Sequence, residues 1–296
     1  MKSIVTGGKG FIGSVLAKKL IDQGDEVIVI DKAQTYNKIQ NVKYFDIDLN
    51  NFEEILPIFD SVDRVFHLAA DVSIEYCKNN PRLSGINNSN TTLNVLECCR
   101  IKNIKRLVFS STSAVYKEKN SDEKYKETDE TNPLNLYSAS KLFGEYLCKI
   151  YWELYKIETV VLRYFNVYGS TMSNSPYAAV MVKFLNNYKQ NIPIKIYGDG
   201  LQTRDFVYVE DVADINILAS LKELPSYGNI YNVGTSKSIS INYLASLISN
   251  KIEYSSLKIG ELKYSCCDNI KTLNTFDWSP KEKVENWLKT IIKTND

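Results

Sequence analysis

The stretch VTGGKGFIG, Val5 to Gly13, joins a β-branched run, Ser3–Thr6, to the helical apolar spacing of Phe11–Asp22. Glycines at 7, 8 and 10 permit a tight turn and close backbone approach, and Gly13 falls in the first turn of the helix. A helix starting there offers unpaired backbone N–H groups to a pyrophosphate. A second β-branched run, Glu26–Ile30, follows and ends against Asp31. Glycine clusters alone are common, but strand, glycine loop, helix, strand and acid in this order predict a dinucleotide site. Gly7, Gly10, Phe11, Ile12 and Gly13 are its expected contacts. Asp31 is expected on the adenosine ribose hydroxyls, where its charge repels a 2′-phosphate and favours NAD over NADP. Lys32, a further candidate contact, acts against that preference.

Outward from this loop the alternation continues. Arg64–Leu68, Arg106–Phe109 and Thr159–Arg163 read as short strands, and Asn87–Arg100 and Tyr137–Tyr155 as helices. The pattern predicts right-handed βαβ units, hence an α/β fold with a doubly wound, Rossmann-like parallel sheet. After about Gly169 the alternation weakens. Tyr177–Asn187, Val212–Leu221, Ser240–Ser249 and Lys281–Lys293 look helical, and Ile194–Ile196 and Phe206–Val209 extended. The expected division is a dinucleotide-binding domain over 1–168, to which about 206–232 returns, and a smaller mixed α/β substrate-binding lobe over most of 169–296.

Composition excludes several classes. Lys and Arg number 36 against 35 Asp and Glu, a net charge of +1, so nucleic acid is not an expected partner. No long apolar leader precedes the glycine loop and no run of about 18 apolar residues occurs, so neither a signal peptide nor a membrane span is expected. Cytoplasm is the expected compartment. The single histidine, His67, leaves no basis for a His-rich metal site or a Ser-His-Asp triad. It is expected to be structural, at a strand end. The six cysteines include two adjacent pairs and no C-x-x-C, and are expected to be buried thiols.

Tyr137 and Lys141 stand four apart on a predicted helix and so share a face. An ammonium there, with an oxidised nicotinamide, would lower the phenol pKa from about 10 towards neutrality, as a general base requires. Y-x-x-x-K alone is weak in a chain with 20 tyrosines. It gains weight from the motifs around it: HLAA (His67–Ala70), FSSTSAVY (Phe109–Tyr116), YSASK (Tyr137–Lys141), RYFNVYG (Arg163–Gly169) and GDGLQTRDFVYVEDV (Gly198–Val212).

In this order, and nearly end to end, the motifs resemble the extended short-chain dehydrogenase/reductase family, in its nucleotide-sugar epimerase and dehydratase branch. The resemblance implies tightly held NAD, with Asp48 and Leu49 at the adenine, Leu68, Ala69 and Ala70 beneath the cofactor, and Ser110, Tyr137 and Lys141 also in contact with it. It makes Tyr137 the acid and base and Lys141 its tuner, with Thr112 holding the reacting oxygen of the sugar. Asn166 and Arg204 would grip the sugar-nucleotide diphosphate, arginine doing so through its planar fork. Asn88 would be a structural asparagine. SPYAAVMVKF (Ser175–Phe184) is similar to an element of bacterial UDP-sugar 4-epimerases, which places Tyr177, Ala178 and Val180 at the substrate, although Val182 replaces the usual proline. KIGE (Lys258–Glu261) puts Lys258 where relatives carry a second arginine, and Ser265 stands where a bulky tyrosine would exclude a 2-acetamido group.

Relatives that remove water carry Asp-Glu after the threonine, whereas Ser113 and Ala114 follow here, which argues against a 4,6-dehydratase. The expected activity is NAD-dependent nucleotide-sugar 4-epimerisation, on UDP-glucose and galactose or their N-acetyl forms, serving surface polysaccharide synthesis. The alternative is an NAD(P)-dependent 4-ketoreductase or 4-dehydrogenase. A homodimer through a four-helix bundle is implied, with Leu93, Leu96, Leu142 and Phe143 in its helices. The charged loop Lys117–Glu130 is expected to be solvated.

Overall fold

The β-branched runs of the first half become strands, and the helical spacings become helices laid between them. The structure, a computed structural model, describes residues 1–33, 38–170, 180–256 and 262–293. In chain order the first half contains β1 (Lys2–Thr6), α1 (Phe11–Asp22), β2 (Glu26–Ile30), β3 (Val42–Phe45), α2 (Phe52–Ile55), β4 (Arg64–His67), α3 (Ile74–Asn79), α4 (Pro81–Ile101), β5 (Arg106–Thr112), α5 (Leu136–Tyr155) and β6 (Glu158–Tyr164). Then come β7 (Asn166–Tyr168), α6 (Val180–Lys189), β8 (Ile194–Tyr197), β9 (Thr203–Tyr208), α7 (Val209–Leu221) and β10 (Asn229–Val233). The chain closes with β11 (Ser238–Ser240), α8 (Ile241–Ser246), β12 (Ile252–Ser255), α9 (Ile270–Phe276) and α10 (Val284–Lys293).

Two units separate. The first joins Met1–Val115, Pro133–Arg163 and Val212–Tyr231; the second holds the described residues of 116–132, 164–211 and 232–296. The main sheet runs β10-β6-β5-β4-β1-β2-β3. β1 pairs parallel with β2 and β4, β2 with β3, and β4 with β5. This is the Rossmann-like α/β sheet. Its order reverses at β1, and a sheet of this kind leaves a crevice where the carboxyl ends of β1 and β4 part. Ile4, Ile28, Val65, Leu107, Phe109 and Val161 form its core with the covering helices.

The helix ends follow local rules. α4 begins at Pro81, a residue suited to a first helical position, and so starts earlier than its apolar spacing suggests. α5 begins with a reciprocal cap: the Asn135 side chain accepts from Ser138 N at 2.9 Å, and Ser138 Oγ accepts from Asn135 N at 3.4 Å. Arg106 on β5 anchors the neighbouring strand β6 and the segment that follows α7. Its guanidinium donates to Glu158 at 2.8 Å, to the Ala219 and Lys222 carbonyls at 3.0 and 2.9 Å, and to the Tyr227 hydroxyl at 2.7 Å.

In the second unit β9 pairs antiparallel with β11 and parallel with β7, and β8 pairs parallel with β12. Tyr168, Phe184, Ile194, Phe206, Leu244 and Trp287 pack as a second core. The loop after β5 differs from the expected solvated run. Tyr125 within it is 1% exposed and stacks on Tyr116 with ring centres 4.9 Å apart. The Tyr125 N–H donates to the Cys266 carbonyl, and the Tyr125 carbonyl accepts from Asp268 N, both at 2.8 Å. These bonds carry 116–132 into the second unit, whereas the sequence boundary near 168 groups it with the first. All six cysteines are free and buried.

His67 closes β4 with both ring nitrogens engaged, Nδ1 2.7 Å from Thr6 Oγ1 and Nε2 3.0 Å from Thr92 Oγ1. Burial, and after it the Lys141 charge, hold its pKa down at about 3 against an ordinary 6.5. Below pH 6.5 the unfolded chain gains a proton that the folded chain refuses, so stability is lost as pH falls from 6.5 towards 3. Between pH 7 and 5 this residue alone should remove about 2 kcal/mol. Urea unfolding of His67→Gln should show a correspondingly weaker acid dependence than the parent chain, and parallel pH profiles would contradict the assignment.

Candidate active site

The glycine loop leaves β1 pressed against the exit of β4. Gly7 adopts φ +70°, and a Cβ there would lie 2.7 Å from Ala69 N. A Cβ on Gly13 would strike the Gly7 carbonyl oxygen. The loop closes through Gly10 N–H to the Gly7 carbonyl at 3.0 Å. Gly10 caps α1 with no side-chain acceptor, and the first turn contains no acidic residue. Asp31 accepts Lys9 N at 3.0 Å on one oxygen and Ala33 N at 2.9 Å on the other. A carboxylate has lone pairs beyond these two. Uncapped N–H groups for a pyrophosphate and a fixed acceptor pair for a ribose diol fit a dinucleotide.

Around this loop the other expected contacts fall at strand exits. Leu68 N donates to the Thr6 carbonyl at 3.2 Å and Ala69 N to Thr6 Oγ1 at 3.3 Å. Asp48 accepts Asn50 N at 2.9 Å, while Leu49 sends its side chain into the core. Ser110 is buried on β5. Lys32 lies 3.9 Å from Asp71, so its charge faces a carboxylate of its own.

Thr112, Tyr137 and Lys141 come together in the first unit. Thr112 ends β5 and is fixed by accepting Ala114 N at 3.2 Å; its side chain also hydrogen-bonds Tyr137. Burial pushes the Tyr137 phenol up to about 12, with the Thr112 bond acting against it. Lys141, 4% exposed, sits one helical turn on with Nζ 4.9 Å from the centre of the Phe109 ring. Burial lowers it from 10.5 to about 8, opposed by the Cys148 and Glu145 sites. The phenol pKa is thus raised where the sequence predicts a lowered one, because desolvation outweighs the hydrogen bond. The folded chain alone does not make Tyr137 a base at neutral pH.

The Glu145–Arg163 pair, which sequence reasoning missed, and Asn88, expected there as a structural asparagine, hold this set. Glu145, one turn beyond Lys141, receives Arg163 bidentately at 2.9 and 2.6 Å and also the Ser111 hydroxyl. Arg163 and Glu145 are 2% and 3% exposed in their side chains. Asn88 accepts Asp71 N at 2.7 Å and donates to Ser140 Oγ at 3.1 Å; that hydroxyl donates to the Tyr137 carbonyl at 2.8 Å. Asn88 thereby ties the β4 exit to the first turn of α5. In the second unit Asp205 accepts Thr235 N at 2.7 Å, Ser236 N at 3.0 Å and Cys267 N at 3.2 Å, beside Arg204. The signals existed, a charged pair in apolar strands and helices, but their partners lie far apart in the chain.

Asn166 and Arg204 occupy neighbouring strands of the second unit, with Asn166 opposite Phe206. Arg204 donates to the Thr203 carbonyl at 2.8 Å. Val180 opens α6 and packs against the second core. Tyr177, Ala178 and Lys258 lie outside the described residues. Among the described residues no group of three or more His, Cys, Asp or Glu is placed to hold a metal.

Residues 3–234 match the model of the NAD dependent epimerase/dehydratase family. A UDP-glucuronate 4-epimerase from Thermodesulfobacterium geofontis is 32% identical, over 98% of this chain and 94% of its own. The solved UDP-N-acetylglucosamine 4-epimerase of Methanobrevibacter ruminantium, in complex with UDP-N-acetylmuramic acid, superposes with a TM-score of 0.91 at 35% identity, covering 99% and 97% of the two chains. A Thermus thermophilus UDP-glucose 4-epimerase complexed with NAD gives 0.90 at 31%, covering 100% and 99%.

Glu145→Gln should leave the Arg163 guanidinium buried without its counter-charge and cost about 3–5 kcal/mol in urea unfolding. Replacing both residues by methionine should recover much of that loss. A Glu145→Gln midpoint equal to the parent's would show that the pair contributes nothing.

Proposed function

Because the chain belongs to the NAD dependent epimerase/dehydratase family, we propose that it is an NAD-dependent 4-epimerase of UDP-hexoses, with Thr112, Tyr137 and Lys141 as its reacting set. The observation that carries this reading is the threonine–tyrosine hydrogen bond with a buried lysine one turn away, in a sheet whose glycine loop has its helix uncapped. When bound, NAD would supply hydride-transfer chemistry at C4 of the sugar and a positive charge near the phenol. Gly7, Gly10, Phe11, Ile12 and Gly13 hold its pyrophosphate, Asp31 its adenosine ribose, and Lys141 its other ribose. Asp48, Leu49, Leu68, Ala69, Ala70 and Ser110 complete its surroundings, with Lys32 alongside.

Tyr137 Oη takes the proton of the C4 hydroxyl and later gives it back, while Thr112 Oγ1 holds that oxygen in line. Deprotonating Tyr137 needs positive charge near it, and Lys141 supplies part; its own pKa of about 8 keeps it charged at neutral pH and lets it lose that charge above pH 8. Activity should therefore decline as pH rises through about 8. Ser113 and Ala114, in the turn after Thr112, offer no acid and base for expelling a C6 hydroxyl. Asn166, Arg204 and Lys258 bind the substrate diphosphate, and Tyr177, Ala178 and Val180 flank the sugar. Ser265, small and buried in the second unit, is compatible with a 2-acetamido group.

The reading extends to assembly. One face of α5 leaves Phe143, Tyr146, Ile150 and Leu154 exposed at helical spacing, and α4 leaves Leu83, Ile86 and Leu93. Two copies joined through these helices would bury that surface as a four-helix bundle. Leu96, by contrast, is fully buried in its own core. No described helix is long and apolar enough to cross a membrane; our reading places the enzyme in the cytoplasm, serving polysaccharide synthesis.

Proton NMR on UDP-glucose, UDP-galactose and their N-acetyl forms should show interconversion at C4 with no net absorbance change at about 340 nm; steady accumulation of reduced cofactor would instead identify a dehydrogenase. Tyr137→Phe should lower kcat by about 10²–10⁴-fold, since phenylalanine cannot carry the proton. Light scattering should give twice the chain mass, and Ile150→Glu with Leu154→Glu should halve it.

A further inference from the structure

Lys9 is the basic residue inside the glycine loop, yet its side chain is 0% exposed. Its Nζ lies 2.5 Å from Asp46 Oδ1 and also donates to the Ala33 carbonyl. Its backbone N–H is the one held by Asp31. One residue therefore ties three strand exits together: the loop after β1, the turn after β2 through Asp31 and Ala33, and the end of β3 through Asp46. An ordinary surface ion pair is worth little, because both charges stay solvated. Here the lysine side chain is covered and has a second acceptor, so its position is built rather than incidental.

The charges decide what this corner accepts. Lys9, Asp31 and Asp46 together carry one net negative charge, and Lys32 faces Asp71 at 3.9 Å. Among the described residues Lys9 has an ammonium fixed to the same turn as Asp31, so it is the group best placed to meet a phosphate on the ribose 2′ position. Asp46 engages that ammonium and turns it towards the end of β3.

We propose that Asp46 sets dinucleotide choice at this site: by pairing with Lys9 it clamps the loop onto Asp31 and withholds the cation that a 2′-phosphate would need. The inference rests on the glycine loop being the cofactor site. Asp46 has a 59% exposed side chain, so Asp46→Asn removes a charge without opening the core.

The test is calorimetric binding of NAD+ and NADP+ to the full chain freed of bound nucleotide, which reads the site without turnover. The parent chain should prefer NAD+. Asp46→Asn should shift the NADP+ to NAD+ affinity ratio about tenfold towards NADP+, the size of one gained charge-assisted hydrogen bond. That gain should shrink at high salt. Lys9→Met should weaken NAD+ without helping NADP+, and adding it to Asp46→Asn should erase the gain. An unchanged ratio in Asp46→Asn, or a gain that survives in the double variant, overturns the proposal while the cofactor site stands. A parent chain that binds neither dinucleotide overturns the cofactor site and this inference with it.

Discussion

No side chain fits between Gly7 and Ala69. The backbones of two strand exits meet there, with Ala69 N 2.7 Å from where a Cβ on Gly7 would stand. Because they meet, Thr6 can serve three partners at once: its carbonyl takes Leu68 N, and its hydroxyl takes Ala69 N and faces His67. The parallel register of β1 with β4 follows to the end of both strands. With the loop set flush on this floor, α1 begins close to the sheet with its N–H groups uncovered, and Asp31 stands across from it. A larger residue at position 7 would lift the loop away from everything it is placed to address.

Desolvation supplies the second governing condition. The same burial raises the Tyr137 phenol and lowers the Lys141 ammonium, so each is pushed towards its neutral form. Both groups are thereby made sensitive to any charge brought beside them, since neither is levelled by water. Beneath them the Glu145–Arg163 pair carries no net charge but fixes geometry. It links the end of β5 through Ser111, the helix α5 and the strand β6 at one point. His67 is kept neutral by its burial, with the Lys141 charge acting the same way, and adds no competing charge.

The parts legible in sequence were those written locally. Glycines, the β-branched runs and the acid after β2 lie within one stretch of chain, and the four-residue spacing of Tyr137 and Lys141 needs only one helix. Pro81 shows the limit even of local reading, since the first turns of α4 contain polar residues that hide the period while the proline marks the start. β3 and β10 are only four and five residues long, too short to show a period of their own. Tyr125 was hidden for another reason: a charged run surrounds it, and its burial depends on Cys266 and Asp268, which lie more than a hundred positions away. The role of Lys9 likewise depends on Asp46 and Ala33, which come near it only in the fold. In each case the missing information was a contact between distant segments, which no periodicity encodes.

Arg106 is fully enclosed, and the carbonyls and phenol that receive it come from residues 219 to 227. Its strand, however, is complete by residue 112. During synthesis this guanidinium must wait while the ribosome delivers another long portion of chain, much of it destined for the other unit. Folding of the nucleotide-binding half therefore cannot run to completion from the N-terminus alone; its last seam closes only after most of the protein has left the exit tunnel. A nascent chain ending before residue 219 would hold this guanidinium with Glu158 alone of its partners in place.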